Sequence, residues 1–493
     1  MSNTKSHIKE LFSHTAIYGV GIMLNKVLSF LLIPIYTYYF SPADLGLYNL
    51  IQSLWLFIIL IYVYGMETSF IRFFIDAKEE KLKREIYSTS LILISFTSLL
   101  FSVIIYFLSG TVSNFIGFEN IEKGTYLIKI LSILLFFDTI SRFPLLLLRA
   151  ELKAKIYFYL SVSSLLINLI FNVLFIVVLK LNVEAILYSY IISVIFALIA
   201  GLVITKKFFS LKFSLKEAKE LFIYGNKFIY FGLFLLLIDV SDRFFLKYFF
   251  DESIVGIYSA SYRLGTLMSL AIAAFRFSWT PYFLNLSENP ENKKIISEIF
   301  TYFIFAGLFL FLFFSFFTEP VVKYSFDGFS LLNSKYYSGL IIIPIILLSY
   351  FFSGLFANLN VVPFYTNRTS ILLLISLEGL IINILLNILL IPKFQMLGAA
   401  YSTLFTYVIM FIHIYYLSQK LYKIEYQWKA ILILSISAAI LFAIFYYIQN
   451  YLEIRLLIKV IIYFFLIIAY LTSSNLFRII KISNIKLLIK KDT

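Results

Sequence analysis

Cysteine is absent from this 493-residue chain, and histidine occurs only three times. The absence of cysteine excludes structural disulfides and thiolate metal sites, and three histidines leave little material for an imidazole site. A glycine-rich phosphate-binding loop followed by lysine and serine or threonine is also missing, so nothing indicates nucleotide hydrolysis. We therefore expect no metal site and no cofactor.

Charged residues are scarce, at 14% of the chain, whereas 61% of the residues are hydrophobic. This composition indicates an all-α polytopic membrane protein with no separate soluble domain. About fourteen apolar runs are long enough to cross a hydrocarbon core of about 30 Å as helices. The predicted spans are 15–39, 45–65, 86–108, 126–148, 156–179, 183–205, 221–246, 254–277, 300–317, 339–361, 371–391, 397–417, 431–449 and 456–476.

Lysine and arginine concentrate in every second gap between these runs, and the other gaps hold at most two cations each. Because loops rich in these residues stay in the cytoplasm, both termini are predicted to be cytoplasmic. The formal net charge of +14 would suggest nucleic-acid binding in a soluble protein. Here the excess lies in loops that face anionic headgroups, so we expect membrane lipid and no nucleic acid as partner.

An internal repeat is visible along the chain. The segment 39–48 recurs as 249–258 at an offset of 210 residues, and Asn168 and Asn172 recur at an offset of 215. Six helices separate equivalent positions, so the two halves point the same way and are related by an axis along the membrane normal. The predicted parts are one six-helix bundle at 1–207, a second at 208–422, and two extra transmembrane helices with a basic cytoplasmic tail at 423–493.

The segments near the start of the two repeats resemble a known protein family. The segments NKVLSFLLIPIYT at 25–37 and FSPADLGLY at 40–48 resemble the first helix and turn of bacterial polysaccharide (O-antigen type) flippases. The segments SDRFFLKY at 241–248 and VGIYSASYR at 255–263 look like the same family. That family belongs to the multidrug/oligosaccharidyl-lipid/polysaccharide exporter superfamily, whose fold is two six-helix bundles around a central cavity.

The resemblance implies a transporter of the inner (cytoplasmic) membrane, not an enzyme. Its substrate would be a polyprenyl-diphosphate-linked oligosaccharide repeat unit, moved from the inner to the outer leaflet by alternating access for surface polysaccharide biosynthesis. A glycan polymerase and glycosyltransferases of the same pathway would be its protein partners. The sugar composition and the energy source are left open.

Two other functions remain as alternatives. One is an ion-coupled multidrug antiporter of the same superfamily, which commonly carries a carboxylate in its first helix, whereas the run 15–39 contains Lys26 and no acidic residue. The other is a membrane glycan polymerase or ligase. Such an enzyme usually needs a large catalytic loop outside the cell, and the longest outer gap is only 318–338.

Cations inside the predicted spans are candidates for substrate contact, because a charge in the hydrocarbon region is costly. Lys26 and Arg263 lie about 16 and 14 Å into their helices, near the midplane, and are the first candidates for the diphosphate. Arg142 lies deeper than the cytoplasmic rim of its helix. Arg243 and Arg276 lie nearer the outer and inner ends, where they could guide substrate uptake or release.

Each candidate also has a purely structural interpretation. Asp138 lies four residues before Arg142, and Asp239 lies four before Arg243, so each pair could neutralise itself. Arg276 precedes two interfacial aromatic residues and could be a simple anchor. The carboxylates that are candidates for ion coupling or charge pairing are Asp138, Asp239 and Glu378, the last of which could also pair with Lys26.

Overall fold

The structure, a computed structural model, describes residues 30–226, 229–284, 290–326 and 329–476. This part is almost entirely helical, as predicted, with one short hairpin in which β1 (Ser325–Phe326) pairs antiparallel with β2 (Phe329–Ser330). The helices are α1 (Phe30–Tyr39), α2 (Pro42–Val63), α3 (Met66–Asp76), α4 (Glu80–Ile116), α5 (Ile121–Ala150), α6 (Ala154–Val173), α7 (Glu184–Thr205), α8 (Leu215–Asn226), α9 (Ile229–Phe249), α10 (Glu252–Gly265), α11 (Leu267–Leu284), α12 (Pro290–Lys323), α13 (Ile343–Leu359), α14 (Val361–Tyr365), α15 (Ser370–Leu421), α16 (Trp428–Tyr451) and α17 (Leu456–Leu476).

The chain is a multi-pass membrane protein. Within the described ranges, 10 helices are long and apolar enough to cross a membrane, or up to 11 if the bent pair α8 and α9 forms one span. The 52-residue α15 covers the two predicted spans 371–391 and 397–417. Between them the helix is broken at Gln395, which has a φ of 51° and a ψ of −126°. The full count of fourteen spans and the cytoplasmic termini stay predictions.

The chain divides into two compact units. The first unit comprises Met1–Ala260, Lys335–Ser338 and Leu380–Ala399, and the second comprises Ser261–Ser334, Gly339–Gly379 and Ala400–Thr493. The division into six-helix bundles at 1–207 and 208–422, followed by two extra helices and a tail at 423–493, stays a prediction.

In the first unit, α5 packs against α2, α4 and α7. Gly201 of α7 permits close packing, since a Cβ there would lie 2.7 Å from the Cβ of Pro144 in α5. The short helix α3 is held by aromatic residues: the buried Phe70 ring lies 5.8 Å from the ring of Phe143 and 6.1 Å from that of Tyr87. These contacts fix α3 beside the C-terminal third of α5.

The two asparagine pairs of the repeat make corresponding contacts in the first unit. All four asparagines are buried. Asn172 donates to Asn168 Oδ1 at 3.1 Å, and Asn387 donates to Asn383 Oδ1 at 3.0 Å. Each pair also accepts a hydrogen bond from a hydroxyl group on the first helix of its own repeat. Tyr36 in α1 donates to Asn172 Oδ1, and Ser241 in α9 donates to Asn383 Oδ1, both at 2.9 Å.

In the second unit, α11 and α12 both pack against α13, while α16 and α17 pack against α12. The rings of Phe316 and Phe445 stack at 4.6 Å between α12 and α16. Tyr470 of α17 stacks on Phe305 at 5.5 Å and donates its hydroxyl to the Phe305 carbonyl at 3.2 Å. Aromatic packing on α12 therefore holds the last two helices.

Candidate functional site: a polar cavity in the first unit

A cavity of ≈ 160 Å³ lies in the first unit between α2, α3, α5 and the start of α9. Most of its lining is apolar or small, but Glu67, Thr68 and Arg142 bring polar groups into it. We call it the polar cavity. Its position among membrane-spanning helices makes these polar groups functional candidates.

Arg142 sits between two carboxylates. Its Nη1 donates to Glu67 Oε1 at 2.9 Å, and its Nη2 donates to Asp138 Oδ2 at 3.2 Å. The indole of Trp55 donates to the same Asp138 oxygen at 3.1 Å. We call Glu67, Asp138 and Arg142 the Arg142 cluster. With both carboxylates ionised, the two negative charges exceed the single positive charge of the guanidinium by one.

This pairing bears on the predicted role of Arg142. The i, i+4 contact with Asp138 that the sequence suggested is present. The Nε of Arg142 is buried and lacks a hydrogen-bond partner among the described residues. A substrate phosphate would have to displace Glu67 or Asp138 to reach the guanidinium ends, so phosphate binding by Arg142 stays a prediction that requires rearrangement.

Sequence reasoning does not identify Glu67, because the second apolar run ends at 65 and the composition of the following residues predicts a cytoplasmic gap. The structure continues there with α3, whose Phe70 and Phe74 are 0% and 1% exposed. Their i, i+4 spacing is the signal that could have predicted a buried helix face at this position. Glu67 lies within one turn of that face.

Arg243 belongs to a second charged cluster of the first unit. Its Nη1 donates to Asp242 Oδ1 at 2.9 Å and to the backbone carbonyl of Asp239 at 2.6 Å. The other oxygen of Asp242, a residue that is 0% exposed, accepts a hydrogen bond from Tyr258. The i, i+4 spacing predicts a contact between Asp239 and Arg243, and the structure has one through the backbone oxygen of Asp239. The carboxylate of Asp242 pairs with the same guanidinium.

The two copies of the repeat meet in the first unit. A Cβ added to Gly46 would lie 1.7 Å from the carbonyl oxygen of Glu252, and one added to Gly256 would lie 1.9 Å from that of Pro42. Pro42 and Glu252, like the two glycines, are equivalent positions of the repeat, so the contact is reciprocal. We call it the outer contact, because it lies at turns predicted to face the cell exterior.

Charged residues surround the outer contact. Glu119 and Glu252 cap each other: the Glu119 N–H donates to Glu252 Oε1 at 2.9 Å, and the Glu252 N–H donates to Glu119 Oε1 at 3.0 Å. The side chain of Lys247, which is 8% exposed, lies 3.6 Å and 3.9 Å from the two carboxylates. Lys123 pairs with Asp44 at 2.7 Å on the same side.

A further backbone contact borders the polar cavity on the side predicted to be cytoplasmic. Gly65 has φ 76°, and a Cβ there would lie 2.0 Å from the carbonyl oxygen of Gly225 in α8. Next to it, the guanidinium of Arg72 lies 4.7 Å from the ring centre of Tyr224. We call this the inner contact. The first unit is therefore closely packed both at the turns predicted to be outside and beside the end of α2 that is predicted to be cytoplasmic.

The other predicted residues lie elsewhere. Lys26 falls outside the described residues. Arg263 is half-buried in α10, and Arg276 is exposed on α11. Glu378 contacts Nδ1 of His413, with side chains 41% and 37% exposed, so the structure pairs it with a histidine that the sequence analysis did not consider.

The chain is similar to known proteins in both sequence and fold. Residues 11–287 match a family described as Polysaccharide biosynthesis protein. An uncharacterized membrane protein of Methanocaldococcus jannaschii is 26% identical over 260 residues, and the match spans about half the length of that relative, 49%.

Three solved structures show the same fold. The lipid II flippase MurJ in an inward closed conformation matches with a TM-score of 0.74 and 15% identity, over 94% of this chain and 99% of MurJ. An inward-facing multidrug resistance MATE family transporter matches with a TM-score of 0.63 and 13% identity, over 81% of this chain and 96% of that transporter. A Vibrio cholerae MATE transporter matches with a TM-score of 0.56 and 15% identity, over 85% of this chain and 98% of that transporter.

Proposed function

Because this chain belongs to the polysaccharide biosynthesis protein family, we propose that it is a flippase for a polyprenyl-diphosphate-linked oligosaccharide. It would move the repeat unit from the inner to the outer leaflet of the cytoplasmic membrane. The family and the fold are those of transporters and flippases, which argues against the polymerase or ligase alternative. MurJ, which shares the fold, is a flippase for a lipid-linked substrate, and this supports the proposal.

The polar cavity is the observation that carries the proposal. A hydrated sugar head and a diphosphate must cross about 30 Å of hydrocarbon, so the protein has to supply polar groups at membrane depth. Glu67, Asp138 and Arg142 supply such groups between otherwise apolar helices. An apolar passenger would not need them.

The size of the polar cavity supports transport by alternating access. At ≈ 160 Å³ it is smaller than the pockets of about 300 Å³ or more that hold small ligands. An oligosaccharide can therefore enter only if the surrounding helices separate. We propose that the outer contact opens to release the head group and that the inner contact opens to admit it.

The cations have distinct proposed roles. Lys26 and Arg263 contact the diphosphate near the midplane, as the sequence predicts. Arg142 contacts it after exchanging one carboxylate for a phosphate oxygen, because a guanidinium binds either anion in the same two-pronged way. Arg243 and Arg276 act near the outer and inner ends. The partners proposed are a glycan polymerase and glycosyltransferases.

An ion-coupled multidrug antiporter is the second candidate. It is favoured by carboxylates within the spans, Asp138 in the Arg142 cluster and Glu378 beside His413, which could exchange cations. The absence of any acidic residue from the predicted first span, 15–39, disfavours it. Drug efflux from cells that express the protein would distinguish this candidate from the flippase.

The experiment that tests the flippase is a leaflet assay. Lipid-linked glycan is labelled in intact cells and in inverted vesicles of a strain that lacks this gene and any redundant flippase. We expect the glycan to accumulate on the cytoplasmic side and to return to the outer side when the gene is restored. An unchanged distribution between the leaflets would reject the proposal and make drug efflux the next assay.

A further inference from the structure

The second unit contains a cavity with a different character. It has a volume of ≈ 230 Å³ and lies between α11, α12 and α13. Its lining includes Met268, Ile272 and Phe275 from α11, Phe303 from α12 and Phe351 from α13. None of the described residues that line it is charged. We call it the apolar cavity.

A hydrocarbon chain is the occupant that such a cavity favours. Water would find almost no polar partner there, and apolar cavities of this kind stay dry. An empty cavity of this volume would forfeit many packing contacts, which destabilises a folded protein. At ≈ 230 Å³ the space is below the range of about 300–1,000 Å³ for a whole small ligand, so it suits a segment of a longer chain.

A cation lies one helical turn from this cavity. Arg276 follows Ile272 by four residues, which places the two about 40° apart around α11 and about 6 Å apart along it. The Arg276 side chain is exposed. It lies on the side of α11 that leads to the predicted cytoplasmic gap containing Lys293 and Lys294.

Aromatic residues follow Arg276 along α11. The buried Trp279 stacks on Phe275 at 5.7 Å and on Tyr282 at 6.1 Å, and its indole donates to the Asn358 carbonyl at 3.0 Å. Tyr282 is exposed, and tyrosine is enriched where lipid headgroups meet the hydrocarbon. This pattern is consistent with the sequence-based expectation that Arg276 lies near the inner end of its span, between the apolar cavity and the predicted cytoplasmic gap.

We infer that the apolar cavity and Arg276 together bind the polyprenyl phosphate end of the lipid-linked substrate in the inner leaflet. The first isoprene units occupy the cavity and the adjoining phosphate pairs with Arg276. In a polyprenyl phosphate the branched hydrocarbon starts at the phosphate oxygen, which matches a cation about 6 Å along the helix from the cavity wall. A phospholipid instead places glycerol between its phosphate and two chains. This inference rests on the proposed function and adds a docking site to it.

Binding of labelled undecaprenyl phosphate to the purified full-length protein in lipid nanodiscs tests the site. Ala271→Phe fills the cavity from α11, and Ala306→Leu fills it from α12, so two independent variants address the same space. Arg276→Gln removes the cation, and Arg276→Lys keeps the charge. Matched controls are Ala273→Phe, at an exposed position of α11 that does not line the cavity, and Lys294→Gln, an exposed cation of α12.

We expect Ala306→Leu, Ala271→Phe and Arg276→Gln each to weaken binding about tenfold or more, with Arg276→Lys intermediate and the controls near wild type. Excess phosphatidylglycerol should compete poorly. The inference is overturned if the filling variants and Arg276→Gln bind as the wild type does in monodisperse protein. It is also overturned if phosphatidylglycerol competes equally, which would identify an ordinary membrane-lipid site.

The binding assay and the leaflet assay fail separately. Normal flipping with probe binding that none of the variants changes would remove the docking site and leave the proposed function intact. Probe binding with the expected pattern, but no leaflet change on gene deletion, would remove the flippase proposal.

Discussion

Gly46 packs directly against Gly256: a Cβ on Gly46 would lie 3.0 Å from the backbone nitrogen of Gly256. The atoms that would collide are backbone atoms, which cannot rotate away as the end of a side chain can. The outer contact therefore depends on the absence of side chains at both positions, and this makes it open to direct tests.

Replacing Gly46 by valine should prevent the outer contact from closing. We expect Gly46→Val to lower outward transport of lipid-linked glycan about tenfold or more, since transport by alternating access needs both closed and open states. The leaflet assay measures the effect, and protein in the membrane is quantified alongside. Gly110→Val in α4 is the matched control, because no described residue outside the local helix backbone has an atom within 4 Å of an added Cβ there. Equal transport by both variants would show that closure at Gly46 is not required.

Linking Glu119 to Glu252 should stop transport in a reversible way. The chain has no cysteine, so Glu119→Cys with Glu252→Cys creates a single pair without background. We expect a short thiol-reactive cross-linker to join the pair, and transport to fall to the level of the deletion strain. A reducible linker should restore transport after treatment with dithiothreitol. Full transport with the pair completely cross-linked would contradict an opening movement at this position, and each single cysteine variant is the control.

Charge balance in the Arg142 cluster separates structural from functional roles. Arg142→Gln leaves two carboxylates without their guanidinium, so we expect less protein in the membrane and transport reduced about tenfold or more. Adding Glu67→Gln restores the original excess of one negative charge and should recover the amount of protein. If Arg142 contacts substrate, transport stays low in the double variant. Recovery of transport together with protein would mean that Arg142 serves only to neutralise its neighbours.

Charge reversal tests the two cations proposed for the midplane. We expect Lys26→Glu and Arg263→Glu each to abolish surface glycan with unchanged protein in the membrane, because a carboxylate there would repel a diphosphate. Surface glycan is measured by lectin or antibody binding to intact cells. Lys155→Glu, at an exposed position in the first turn of α6, is the control for a charge reversal at the end of a span. Normal glycan in both variants would remove the phosphate assignment.

Much of the fold could be predicted because hydropathy and helix periodicity are local properties. The predicted spans 371–391 and 397–417 lie on either side of the backbone break at Gln395, within one 52-residue helix. The contact of Asp138 with Arg142 also follows from local spacing, since residues four apart share a helix face. Both predictions needed only the order of residues along one segment.

Other parts could not be predicted because their partners are distant in the sequence. Glu67 reaches Arg142 across 75 positions, and Trp55 reaches Asp138 across 83. Such pairs depend on how α2, α3 and α5 pack, and a single sequence does not contain that information. The apolar cavity is of the same kind, because three helices define it and none of them reveals it alone.

The reciprocal packing of Gly46 on Glu252 and of Gly256 on Pro42 has a consequence for the origin of the protein. Residue i touching j while j touches i is the pattern of a symmetric homodimer. Before the halves were joined into one chain, Gly46 and Gly256 would have been a single residue meeting its own symmetry mate on the two-fold axis. A substitution at that residue would have introduced two colliding side chains at once. Fusion of two such genes would have freed the two positions to change independently, yet the backbone contact still requires glycine at both.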